Sequence, residues 1–167
     1  MRYPSYELTE DQFRAVFPRL NFTVSTITSD ESPLFNCIAY AADDDQHWWW
    51  PTSHWPIAWR EEAVDCFIAA FCTLRYLPCR HGDLEHGYEK VALYTDGNRT
   101  PTHMAKQRPD GIWISKCGPN QDIQHSPEEL HSPLYGRVHT YLCRPIQGYP
   151  GWKRKLWRAW NTLTRQL

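Results

Sequence analysis

The chain has 167 residues and a formal net charge of −1, with 41% apolar and 22% charged residues and nine Trp beside nine Tyr. That length suits one domain with a real core, and the composition excludes a disordered chain. The near-zero charge supplies no global field to draw nucleic acid or anionic membrane, so no nucleic-acid partner is expected.

The opening MRYPSYELTEDQF carries neither a basic n-region nor an apolar h-region, and no later run approaches a membrane span. The expectation is a cytoplasmic protein, or one secreted by a route that reads no signal peptide. The six cysteines (Cys37, Cys66, Cys72, Cys79, Cys117 and Cys143) contain no CxxC pair and read as free thiols rather than a disulfide framework. Cys79 and His81 lack the spacing of a zinc finger, and neither a metal nor an organic cofactor is expected.

In chain order, Thr9 to Val16 reads as a short helix, with Thr9 as cap, Gln12 completing a capping box and Pro18 stopping it. Phe22 to Ile27 is rich in β-branched residues and reads as a short strand. Together residues 1–30 form an accessory element. In SPLFNCIAYA, either Ser32 followed by Pro33 or Asn36 starts a helix, which puts Cys37 in its second turn or at its first position. Asp43, Asp44 and Asp45 end that helix, because acids are unwelcome at the negative end of its dipole.

QHWWWPTSHWPIAW, with its Trp and Pro, reads as a packed aromatic loop and a candidate cleft wall. From Arg60 to Tyr76, Val64, Phe67, Ile68, Phe71 and Leu74 recur at helical spacing. Strands follow at 88–94, 102–107, 112–116 and 136–143, separated by turns at Asp96-Gly97-Asn98 and Pro109-Asp110-Gly111. Helices followed by an antiparallel sheet make an α+β domain over residues 1–145. The tail 146–167 carries Lys153, Arg154, Lys155, Arg158 and Arg165, with Trp152, Leu156, Trp160, Leu163 and Leu167 on one helical face. It reads as a basic amphipathic helix. Docking on its own domain is favoured, a protein partner is the alternative, and membrane-surface contact is not favoured.

A thiol becomes nucleophilic when a helix start and a histidine stabilise its thiolate. Cys37 meets the first condition and His103, opening a strand, supplies the second. Arg108-Pro109-Asp110-Gly111 has the pattern of a type I turn with a bulge. That register pairs Gln107 with Trp113, Ala105 with Ser115 and His103 with Cys117, so His103 and Ser115 share a face and Ser115 orients the imidazole. A two-residue loop would instead turn the serine away. Asp122, after the Gly118-Pro119-Asn120 turn, is the other candidate orienter. Asn36, Trp48, Trp49, Trp50 and Lys116 are candidate substrate contacts; for Lys116 a solvated surface position is the plainer reading. Of the remaining histidines, His125 in DIQH is the one placed near this site.

A cysteine opening a helix, the strand EKVALY, a histidine on the next strand and a polar residue on the strand after it resemble papain-like hydrolases of the NlpC type. That resemblance implies Cys37 as nucleophile, His103 as base and Ser115 as orienter, with the nucleophile helix packed on an antiparallel sheet. FNCIAYA…WWWP, LPCRHGDLEHGYEKVALY, PTHMAKQRPDGIWISKCG and DIQH also resemble, over residues 35–144, an uncharacterised bacterial family that carries these motifs. The expected activity is a cysteine hydrolase or acyl transferase of the peptidase or amidase type, acting on a peptide, amide or ester. The alternatives are a non-catalytic protein-binding module and an antibacterial or host-directed effector with the same site.

Overall fold

The computed structural model describes residues 7–23, 25–151 and 153–155. Helix α1 (Glu10–Val16) begins as the sequence predicts: the Thr9 side chain accepts from the Gln12 N–H, and the Gln12 side chain accepts from the Thr9 N–H. Strand β1 is only Thr26–Ile27. Ser32 and Pro33 start no helix. Asn36 caps α2 (Cys37–Ala41) by accepting from the Ala39 N–H at 3.1 Å, so Cys37 is the first helical residue.

Helix α3 covers Val64–Cys72, shorter than its apolar periodicity suggests. Arg75 takes a left-handed φ of 67°, and the Tyr76 N–H bonds back to Phe71 O while the Arg75 N–H bonds to Cys72 O. That doubled closure ends the helix before Leu74 can join it. The strands are β2 (Leu77–Cys79), β3 (Tyr88–Thr95), β4 (Pro101–Gln107), β5 (Trp113–Lys116), β6 (Asp122–His125) and β7 (Arg137–Pro145). A 3-10 turn at Pro127–Leu130 precedes β7.

All strand pairs are antiparallel, in the order β1-β6-β5-β4-β3-β7-β2. β2 and β6 escape sequence reading for different reasons. Pro78 makes β2 look like a loop, yet among the described residues β2 pairs only with β7, and edge strands tolerate proline. β6, DIQH, is short and polar, with no alternation long enough to register.

The sheet lies between two apolar layers. On one face Ile38, Ala41, Phe67, Phe71 and the Trp49–Trp55 loop pack over Val91, Leu93, Met104 and Leu142. On the other Phe13, Phe17, Leu130 and Tyr135 pack over Ala92, Tyr94, Ala105, Trp113 and Ile123. The interior strand β3 is thus buried on both sides, which is why VALY reads as an unbroken apolar run rather than an alternation.

The expected papain-like (NlpC-type) α+β arrangement is not what forms. The described residues are mostly a seven-strand antiparallel sheet with a few short helices, and α2 has five residues. Helix α2, expected to be the nucleophile helix, stays short because Asp43 adopts a φ of 62° directly after Ala42, and the Trp- and Pro-rich segment that follows contains no long helical run. A C-terminal amphipathic helix is likewise not evident. Helical backbone occurs at Gly151 and Lys153–Lys155, and Trp152 and residues 156–167, with most of the apolar stripe, lie outside the described residues. Among the described residues no helix is long and apolar enough to cross a membrane.

Candidate active site

The hairpin turn builds the site. Gly111 has a φ of 91°, its N–H bonds to Arg108 O at 2.9 Å, and the Arg108 N–H bonds to Ile112 O at 2.8 Å. The resulting register pairs Gln107 with Trp113 and Lys106 with Ile114, as the turn pattern predicts, and there the β4–β5 ladder stops. β5 instead continues along β6 from Trp113↔His125 to Lys116↔Asp122. The expected pairs Ala105–Ser115 and His103–Cys117 do not form, so β4 has an open edge from Pro101 to Ala105 on the β5 side.

The start of α2 packs on β4 and β5 beside this opening. Cys37 belongs to the helix-side layer, and its sulfur is met by the backbone N–H groups of Met104, Ile38 and Cys37 itself. Burial nevertheless pushes the thiol up to about 11, against the smaller opposing effects of those N–H groups and the Lys116 charge.

His103, the residue before Met104, points to the other side of β4. Its ring stacks on Tyr135 at 3.9 Å between centroids and meets Tyr94 edge-on at 5.2 Å. The ring is fully buried, and neither nitrogen has a hydrogen-bond partner. Hence no hydrogen bond joins it to Cys37 or to Ser115. Burial, and then repulsion from a charge on His125, hold His103 well below the usual histidine range. Tyr135 links the two sides: it hydrogen-bonds the Cys117 thiol and senses charge on both Cys117 and Cys37.

Ser115 lies on the expected face but orients a different imidazole. Its Oγ is 2.7 Å from His125 Nε2, and His125 Nδ1 is 2.8 Å from Ser126 O. The carbonyl can only accept, so Nδ1 carries the proton and the Ser115 hydroxyl donates to Nε2. Burial brings His125 down to about 4. Asp122 also lies away from His103. Its side chain faces Tyr40, Ser29 and Lys116, the last at 3.8 Å, and burial outweighs these partners in raising its carboxyl.

The substrate-contact candidates are mostly occupied by the fold. The Asn36 side chain caps α2 and donates to Trp49 O at 2.8 Å. Trp49 is buried against Trp55 and Phe71, with its Nε1 on Asp44 at 2.7 Å. Trp50 is half-buried, bonded to Glu62 at 2.7 Å and edge-on to Phe67. Trp48 is half-buried beside them. Lys116 is no surface cation: its side chain is fully buried, donates to Asn120 O, and lies over the Phe35 ring at 4.9 Å. Sequence reasoning missed Tyr135 and Tyr40 altogether, since a lone tyrosine gives no signal of its neighbours.

A family model described as a domain of unknown function (DUF7689) matches residues 26–143, from β1 into β7, and so spans every residue of this site. No curated protein and no solved structure matches the chain.

Proposed function

The chain belongs to the DUF7689 family, and on that premise we propose that it is a cysteine-dependent acyl-transfer enzyme, hydrolase or transferase, with Cys37 as nucleophile and His103 as general base. One observation carries the reading: a fully buried imidazole with both nitrogens unpartnered, adjacent in sequence to the N–H that meets the Cys37 sulfur. Leaving a buried polar group unsatisfied costs about 1–3 kcal/mol, which a purely structural position would shed by becoming apolar.

The directions of the two titrations favour neutral partners over a resting thiolate–imidazolium pair. A thiol pushed up and an imidazole pushed down both stay uncharged at neutral pH. His103 faces the other side of β4 from Cys37, so the proposed step relays the S–H proton to a His103 ring nitrogen through one water at the open Pro101–Ala105 edge as the sulfur attacks an amide or ester carbonyl carbon. The imidazolium then returns that proton to the leaving nitrogen or oxygen as its bond to carbon breaks, and water or an amine releases the acyl group from the thioester. Two N–H groups at the sulfur, those of Cys37 and Met104, are the candidate donors for the developing oxyanion. Tyr135, stacked on His103, would hold the ring's plane, and Ser115 with His125 would brace the wall behind it.

Intact-mass analysis after incubation with p-nitrophenyl acetate and with short peptide thioesters tests this. One acyl group should attach at Cys37, vanish in Cys37→Ser, and form about 10²- to 10⁴-fold more slowly in His103→Ala. Acylation centred on exposed Cys72 and indifferent to His103→Ala would overturn it.

A further inference from the structure

Three side chains outside that site converge on the loop between α2 and α3. Asp44, His47 and His54 each bring one ligand atom within 4.8 Å of the others. His47 Nδ1 lies 2.9 Å and 3.1 Å from the two Asp44 oxygens. The His47 and His54 rings are parallel, 15° apart in plane, with centroids 4.3 Å apart. We propose that Asp44, His47 and His54 form a binding site for a borderline divalent transition ion of the Zn²⁺ type, through two imidazoles and one carboxylate.

Four observations besides the convergence support it. The Gln46 and His47 backbone N–H groups donate to Asp44 Oδ1 at 2.8 Å and 3.2 Å, which fixes the carboxylate next to the His47 ring. Trp49 Nε1 donates to Asp44 Oδ2 at 2.7 Å, the outer-sphere bond that commonly orients a ligating carboxylate. The backbone is fixed: Trp50 N–H donates to His54 O at 3.1 Å, Ser53 N–H to Trp50 O at 2.8 Å, and Arg60 Nη1 bonds both Pro51 O and Ser53 O at 3.0 Å. Finally, both histidines are exposed, so an ion in water reaches them directly.

Ligand chemistry decides the kind of ion. Imidazole nitrogen suits Zn²⁺, Ni²⁺ and Cu²⁺, whereas Ca²⁺ and Mg²⁺ require a mostly oxygen donor set, and here one carboxylate stands against two imidazoles. Three protein ligands leave a fourth tetrahedral position for water or another donor. The ion takes the place of the proton shared by His47 Nδ1 and Asp44. It would thereby tie the residue three beyond the end of α2 to the Trp-rich loop, stiffening the platform that carries Cys37. The site does not depend on Cys37 chemistry.

Zn²⁺ titration by calorimetry, with Co²⁺ absorption as a second readout, tests the proposal on the full chain. One Zn²⁺ per chain should bind, raising the unfolding midpoint by about 5 °C at a hundredfold excess over Kd. Affinity should fall at least about tenfold in His47→Ala and in His54→Ala, both exposed positions where the fold tolerates substitution. The Co²⁺ form should show d–d bands without a thiolate charge-transfer band. Zn²⁺ affinity unchanged in both histidine variants, thiolate bands from the free cysteines, or no binding at millimolar Zn²⁺ would each overturn it.

Discussion

His103 and His125 sit on β4 and β6, both buried, both kept uncharged, and they differ in one respect. His125 has a hydroxyl at one nitrogen and a carbonyl at the other, while His103 has neither. A histidine with both nitrogens bonded is held by the fold and helps hold it. One with both nitrogens bare is a cost the fold carries, and under the proposed function a base role would give that cost a purpose. The comparison also separates two meanings of a lowered pKa. In His125 it reports a satisfied neutral ring, and in His103 a neutral ring whose two nitrogens are unbonded.

Catalysis should divide the two most sharply. His103→Ala should slow acylation of Cys37 by about 10²- to 10⁴-fold, read as the initial rate of ester turnover. His125→Phe should keep the rate within about tenfold of the parent wherever it remains folded. Equal losses in both variants would erase the distinction.

Stability should run the other way. His125→Phe leaves the buried Ser115 hydroxyl without its partner and frees the carbonyl of the exposed Ser126, and should cost about 1–3 kcal/mol in urea unfolding. His103→Phe removes two unsatisfied atoms and keeps the stack on Tyr135, so it should be neutral or stabilising. A His103→Phe loss as large as that of His125→Phe would mean that His103 has a bonding role after all. Ser115→Ala, which removes a single hydrogen bond, should cost only about 0.5–1.5 kcal/mol.

Acid should expose both rings at once. The folded pKa of each lies below its unfolded value, so the unfolded chain binds more protons as pH falls from about 6.5, and stability present above that pH drains away as the medium turns acid, for His125 toward about pH 4. His125→Phe should flatten part of this decline, measured as the urea midpoint against pH. An unchanged slope would show that His125 is solvated rather than buried.

Much of the frame was legible because its signals are local. The Thr9–Gln12 box, the Asn36 alternative for the cap and the Arg108–Gly111 turn each rest on a few neighbouring residues, and each is as the sequence implies. The turn even gave the face shared by His103 and Ser115. What it could not give was where the ladder ends. The register predicts a Ser115 beside His103, whereas β5 leaves β4 after Ile114 and follows β6, which carries Ser115 to His125. Long-range pairing decided that, and β6 was too short and polar to announce itself. Lys116 and Asp122 teach the same lesson for charge: read singly they are a surface cation and a candidate orienter for His103, and only the fold brings them together in the interior.

The central claim is that an uncharged thiol reacts through an uncharged base, and the pH dependence of Cys37 acylation tests it most directly. The account predicts a rate nearly flat from about pH 7 to 9, because His103 is already neutral there and the thiol does not ionise until about 11. In His103→Ala the remaining rate should climb about tenfold per pH unit over the same range, as a thiolate-only reaction does. A wild-type rate that climbs the same way and matches His103→Ala at every pH would contradict the account and return Cys37 to the core.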